Sequence, residues 1–194
     1  MEHSGNKQLS TTRLVEMSVL AGCSYVLMFL SFPIIPIVPY MKIDFSDMPI
    51  LIGTVLFGAT GGITIAGLKS LLYWLTVSGA SIPGLIGVGS SFLSSVTLIL
   101  AFYWGSRWLA SLKPMVKSFL VIGFMAVSLT IVMSFSNWSA VIPLYMNVIG
   151  MKIGMPLSSL ILYGVVPFNL IKGIVVGGLF YLIKNSVLPR LRFK

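Results

Sequence analysis

Residues 49–77 read PILIGTVLFGATGGITIAGLKSLLYWLTV, and the fold turns on how Gly58-Ala-Thr-Gly-Gly62 is taken. The five residues form either a tight turn between two short spans or a glycine-rich stretch inside one long helix. A span needs roughly 17 to 25 predominantly apolar residues. The other candidates are Leu14 to Phe32, Leu85 to Leu109, Phe119 to Leu144 and Ser159 to Ile183, so the count is five or six. Charge decides between them. With six spans, from Pro49 to Ala59 and Ile63 to Val77 separately, both termini share a side. That side collects Lys7, Arg13, Arg107, Lys113, Lys117, Lys184, Arg190, Arg192 and Lys194, against Lys42 and Lys152 opposite. Five spans would move the Arg107–Lys117 loop and the C-terminal tail outside and invert the asymmetry that sets orientation. The expectation is an all-α membrane protein of six transmembrane helices with both termini cytoplasmic.

Composition agrees. Of 194 residues 57% are hydrophobic and 9% charged, and the mean hydropathy is +1.01, where soluble domains carry about a quarter charged residues. The chain is expected to form one domain over 1–194, with a polar N-terminal tail at 1–12 and a basic cytoplasmic tail at 184–194. No cleaved signal peptide is expected, because the first apolar run is long enough to span. The net charge of +9 comes from 13 scattered basic residues that flank apolar segments, which is a topology signal and not a nucleic-acid footprint. Cys23, the only cysteine, reads as a packing residue.

Three loops then face outward, at 33–48, 78–84 and about 143–158. In the first, prolines at 33, 36 and 39 forbid helix and favour an extended course, and such a loop can form a lid.

Lys172, in YGVVPFNLIKG (163–173), lies about eleven residues, or about 16 Å, from the cytoplasmic end of its helix. It cannot snorkel that far. Buried charge in a bilayer costs about 2.5 kcal/mol or more, so such residues face a cavity or a partner. Asn169 lies on the same helical face, and Pro167 frees the carbonyl of Tyr163 at the same depth. The plain alternative is a polar cluster that holds helices together. The functional reading makes Asn169 and Lys172 line an outward-opening pocket, matched to a ligand edge of alternating carbonyl and N–H groups. Asn137 could add a third amide; its sequon, Asn137-Trp-Ser139, falls inside a span and is accidental.

Asp44 and Asp47 are the only carboxylates on the outer side. Asp47, with Pro49 behind it, or Ser46 reads first as a helix N-cap, whereas Asp44 suits capping and ligand contact equally. They make no acid/base pair, since nothing nucleophilic or metal-binding accompanies them. His3, the only histidine, lies in the polar tail, so metal and triad chemistry have little material. Lys69 is expected to snorkel toward the turn at Gly61-Gly62. Despite Gly67 beside it, the order of a phosphate loop is not met. Ser18 and Gly22 form a small-xxx-small pattern that lets another helix approach.

PYMKIDFSDMP after the first helix, FGATGG after the second, SNWSAVIPLY at the end of the fifth and GVVPFNLIKG in the sixth together resemble the substrate-binding S components of energy-coupling factor (ECF) transporters, most closely the riboflavin-binding ones. The resemblance runs from about Arg13 to Leu182. It implies six helices in a bacterial plasma membrane, a vitamin pocket on the outer side capped by the first loop, and assembly with a transmembrane T component and two cytoplasmic ATPases. By motif position it implies that Asn137, Asn169 and Lys172 contact the flavin, that Tyr40, Lys42 and Asp44 belong to the capping loop, and that Ser18 and Gly22 pack against the T component in place of two alanines. Ser91 replaces an asparagine of the riboflavin-type pattern, so the exact vitamin is less secure than the family.

Riboflavin's pyrimidine edge carries two carbonyls and an N–H, suited to amides at 137 and 169 and the Lys172 ammonium. Aromatic walls are available from Tyr40, Phe45, Trp138 and Tyr145. No cofactor or metal is called for, and without an ATP site uphill uptake must draw on partners. By analogy with the family, the chain captures vitamin outside and then moves as a rigid body when the T component engages it. Pantothenate- or pyridoxine-type S components are the nearest alternative. An autonomous carrier would show paired repeats or interrupted helices in both halves, and a membrane enzyme would need more than four acids and one histidine.

Overall fold

The computed structural model describes residues 11–186. His3, Lys7, Arg190, Arg192 and Lys194, on which part of the tail and charge expectations rest, lie outside the described residues. The chain forms α1 (Thr11–Leu27), a short hairpin of β1 (Phe32–Pro33) and β2 (Lys42–Ile43), α2 (Asp47–Thr76), α3 (Ile82–Trp108), α4 (Pro114–Ser136), α5 (Ile142–Ile149), α6 (Leu157–Leu160) and α7 (Val166–Ser186). A π-helical turn at Asn137–Val141 joins α4 to α5, and another at Ile161–Val165 joins α6 to α7. Among the described residues, four helical stretches are long and apolar enough to cross a membrane: Asp47–Thr76, Ile82–Trp108, Pro114–Ile149 and Leu157–Ser186.

α2 is not straight. Gly58 has φ +80° and ψ −179°, a conformation open essentially to glycine alone, and there the chain reverses. Lys69 follows Ser46 by 23 residues, about 35 Å along a straight helix, yet its Nζ lies 3.3 Å from Ser46 Oγ. A Cβ on Gly62 would strike the Thr54 hydroxyl, and one on Gly53 would strike Ile65. The two halves of α2 therefore lie side by side. Arg13, at the start of α1, donates to the Phe57 carbonyl at 2.9 Å and stacks on the Phe57 ring. A cation thus meets the free carbonyl end of the first half, and the start of α1 and the Gly58 reversal share one end of the bundle.

Pro143 does not end its helix where the sequence suggests, whereas the helix read through Pro167 is continuous. Pro143 was expected to open a loop, but the helix continues to Ile149 and stops at Gly150, with φ +64°. The π turn accounts for this. Ile142 N–H bonds back five residues to Asn137 O, just before Pro143, and Val166 N–H bonds to Ile161 O, just before Pro167. In each case the register slip lets the helix pass a residue that has no donor.

The largest core cluster joins α3, α4 and α7 through Leu98, Met125, Leu129 and Phe180. α4 and α7 approach closely at Gly173, where a Cβ would strike the Ala126 backbone. A second cluster, with Met17, Ile50, Ile65 and Ile99, ties α1 to both halves of α2 and to α3. The first loop is extended only at its ends, where Phe32 pairs with Ile43 and Pro33 with Lys42; between them Pro36 and Pro39 stand in turns closed by Val38 N–H to Ile35 O and Met41 N–H to Val38 O. Val38 at its tip is fully buried against Ile142, Leu160 and Val165. Burial of such a side chain contributes about 1.5–3 kcal/mol, so the loop is pinned across this end of the bundle.

Candidate functional site

A cavity of about 290 Å³ opens at the end of the bundle opposite Arg13 and the α3–α4 turn, near the lower limit of small-molecule sites, about 300 Å³. Tyr40, Lys42, Asp44, Ser91, Asn137, Tyr145, Asn169 and Lys172 all line it. Thus the eight residues singled out as ligand contacts converge on one space from loop 1, α3, the two π-turn helices and α7.

The amides are committed in a definite way. Asn137 Nδ2 donates to Met133 O at 2.8 Å, and Asn169 Nδ2 to Val165 O at 2.8 Å. Each amide nitrogen has a second hydrogen and each oxygen its lone pairs, so both residues keep a donor and an acceptor for a ligand. Lys172 is buried, and its Nζ is 3.3 Å from Asp47 Oδ2; Asp47 Oδ1 accepts from Ser95 Oγ at 2.6 Å. Lys172 is therefore paired and also borders the cavity. An ammonium has three donors, and one carboxylate contact leaves others available. Ser94 Oγ, buried at the cavity wall, has no partner.

Several expectations change. Neither Ser46 nor Asp47 caps α2: the Ser46 side chain makes no capping bond, and Asp47 is the counter-ion of Lys172. Asp44 Oδ1 instead accepts from Ser46 N–H at 2.8 Å, and Ser24 Oγ donates to Ser46 O, which fixes the end of loop 1 to α1. Lys69 does not snorkel to the Gly61-Gly62 turn. It is fully buried, with its Nζ 3.3, 3.4 and 3.5 Å from the hydroxyls of Ser46, Ser91 and Ser95. Lys69 and Asp47 each stand eleven positions from Gly58, so equal arms of the hairpin put them at one level. Once the turn is placed, the sequence carries that signal.

Two of the expected aromatic walls are elsewhere. Trp138 is 56% exposed on the outside of the bundle; one helical position from Asn137 points about 100° away. Phe45 packs against Phe32 and the core. Met28, Met41, Tyr73, Met133, Val141 and Phe168 supply apolar surface instead, beside Tyr40 and Tyr145. Tyr145 also donates to Pro83 O at 3.3 Å. Burial raises the pKa of the Tyr40 phenol above its ordinary value, so it stays a neutral donor at the mouth. On α1, Ser18 is exposed, with its hydroxyl turned back to Leu14 O, and nothing lies within 4 Å of a Cβ on Gly22; Val15 and Val19 are exposed beside them.

The family model for the substrate-specific component of ECF transporters matches residues 12–184. The chain is 34% identical over 172 residues to the riboflavin transporter RibU of Staphylococcus aureus, covering 88% of this chain and 87% of that one. It is 33% identical over 184 residues to the riboflavin transporter FmnP of Bacillus subtilis, covering 93% and 94%. Its fold superposes with a TM-score of 0.74, at 33% identity and over 94% of this chain and 98% of the other, on a solved structure described as the S component of a bacterial ECF transporter. Helices of spanning length and transporter relatives make it a multi-pass protein of the cell membrane. From its polar cavity behind a pinned loop to its match along nearly the whole length, the chain belongs to the substrate-specific components of ECF transporters.

Proposed function

We propose that the chain is the riboflavin-binding subunit of an ECF-type importer, with six spans, both termini in the cytoplasm and the cavity facing outward. The observation that carries the ligand is the wall formed by Asn137, Asn169 and Lys172. It offers amide acceptors beside amide and ammonium donors, the complement of a cyclic imide edge, on buried side chains where an unmatched group costs about 1–3 kcal/mol. Methionine and aromatic side chains opposite suit a flat fused ring. The names of the relatives point to the same vitamin.

The orientation follows from charge. Arg13, Arg107, Lys113, Lys117 and Lys184 stand at the end away from the cavity, and basic residues favour the cytoplasmic side. The Gly58 reversal supports counting the halves of α2 as two spans. A T component and two ATPases would supply the energy, the T component docking on the exposed face of α1 around Ser18 and Gly22, where small residues permit close approach.

The test is the absorption spectrum of protein purified from rich medium. Flavin bands at near-stoichiometric occupancy are expected. A colourless preparation that binds pantothenate or pyridoxine would overturn the choice of vitamin.

A further inference from the structure

Lys69 is fully enclosed, and it does not border the cavity. Its ammonium has three donors and no acceptor, and it points at three hydroxyl oxygens, those of Ser46, Ser91 and Ser95. A hydroxyl has one proton and two acceptor positions. Where an ammonium occupies an acceptor position, the hydroxyl's own proton must turn elsewhere. Ser95 shows the result, since its proton goes to Asp47 Oδ1 at 2.6 Å. Ser91 lies between Lys69 and the cavity, and its open side is the cavity itself.

We propose that Lys69 is a positioning residue for the ligand site: it fixes Ser91 as a hydrogen-bond donor aimed into the cavity, and it shares Asp47 with Lys172 through Ser95. Sharing leaves the Asp47 carboxylate incompletely committed to Lys172, whose remaining donors face the ligand. The wall then presents donors at Ser91 and Lys172 and acceptors at the two amides. That set selects a ring edge with carbonyl acceptors flanking an N–H, and disfavours an amino-substituted edge, which would set donor against donor. The inference rests on the reading of the site as a riboflavin pocket.

A double-mutant cycle on the full-length protein in detergent tests it, with riboflavin titrated against wild type, Lys69→Met, Ser91→Ala and the double variant. Each single change is expected to weaken binding about tenfold, or about 1.4 kcal/mol, and the double change to be little weaker than the worse single one, because Ser91 donates only as Lys69 directs it. Lys69→Gln, which keeps a donor without the charge, is measured alongside and should fall between wild type and Lys69→Met; it replaces Lys69→Met in the cycle if that variant does not fold. Losses that multiply to about a hundredfold, or a lower melting temperature with unchanged affinity, would overturn the proposal and leave Lys69 as structural filler. Wild-type protein that fails to bind riboflavin would instead overturn the underlying reading, and this proposal with it.

Discussion

Removing either partner of a simple buried ion pair should cost the same, but here Asp47→Asn should cost more than Lys172→Met. Asp47 lies 3.3 Å from Lys172 Nζ and, through Ser95 Oγ, within about 6 Å of Lys69 Nζ. At an effective dielectric of about 20 these contacts are worth about 5 and about 3 kcal/mol, while burying each ion costs several kcal/mol. Lys172→Met removes the larger attraction together with the burial cost of an ammonium, and leaves Asp47 facing Lys69; the net loss should be about 1–2 kcal/mol. Asp47→Asn removes both attractions and leaves two buried cations near each other with only Asp44 as a nearby carboxylate, a loss of about 3–5 kcal/mol. For a chain of this size about 1 kcal/mol moves the melting temperature by roughly 2–4 °C, so the Asn variant should melt roughly 5–10 °C below the Met variant. Thermal melting of ligand-free protein followed by size-exclusion chromatography measures this. Affinity should behave differently: Lys172→Met, which loses a ligand donor, should bind riboflavin at least tenfold more weakly, about 1.4 kcal/mol. Equal melting temperatures, or a lower one for Lys172→Met, would refute the shared counter-ion.

Asn137→Leu and Asn169→Leu should each weaken riboflavin binding at least tenfold in a fluorescence-quenching titration, with a stability loss of only about 1 kcal/mol for the bond to the helix carbonyl. Gly173→Ala should lower the melting temperature through overpacking of about 1–3 kcal/mol against the Ala126 backbone, and reduce affinity by shifting Lys172 and Asn169; Gly178→Ala, with nothing within 4 Å, should be neutral or slightly stabilising. Val38→Ala should loosen loop 1 by about 1 kcal/mol and speed riboflavin release about fivefold in stopped-flow exchange.

The sequence exposed Lys172 and Asn169 because charge and amide in an apolar run, next to Pro167, have no cheap explanation. The partner of Lys172 stayed hidden. Asp47 is 125 positions away, and a single sequence holds no record of which distant charges meet. Lys69 was assigned to the wrong end for a different reason: distance was counted along the chain to the nearest turn, whereas in a hairpin of equal arms the level of a residue is set by its separation from Gly58. Trp138 was misplaced by ignoring the 100° step that separates it from Asn137. The helix through Pro167 was legible as one apolar run, but the continuation past Pro143 was not, since a π turn leaves no composition signal and arises from how neighbouring helices pack.

Those π turns bear on how a polar cavity wall can be held inside lipid. A helix wall in lipid normally consumes all its backbone polar groups, and loosening it exposes carbonyls that cost several kcal/mol if unmet. Here each asparagine returns one amide hydrogen to the carbonyl four residues back, near the slipped turn of its own helix, and keeps its other polar positions for the cavity. The buried lysines are likewise met within the chain by Asp47 and three serine hydroxyls. The floor and walls of the cavity are thus assembled at the expense of the chain alone. The first loop beside them is held by the Val38 contact, a two-residue β pairing and the Ser24–Ser46 bond. Loosening the loop would therefore break only a small set of contacts worth a few kcal/mol, while the polar groups of the cavity wall stay fixed by bonds within their own helices and to Asp47.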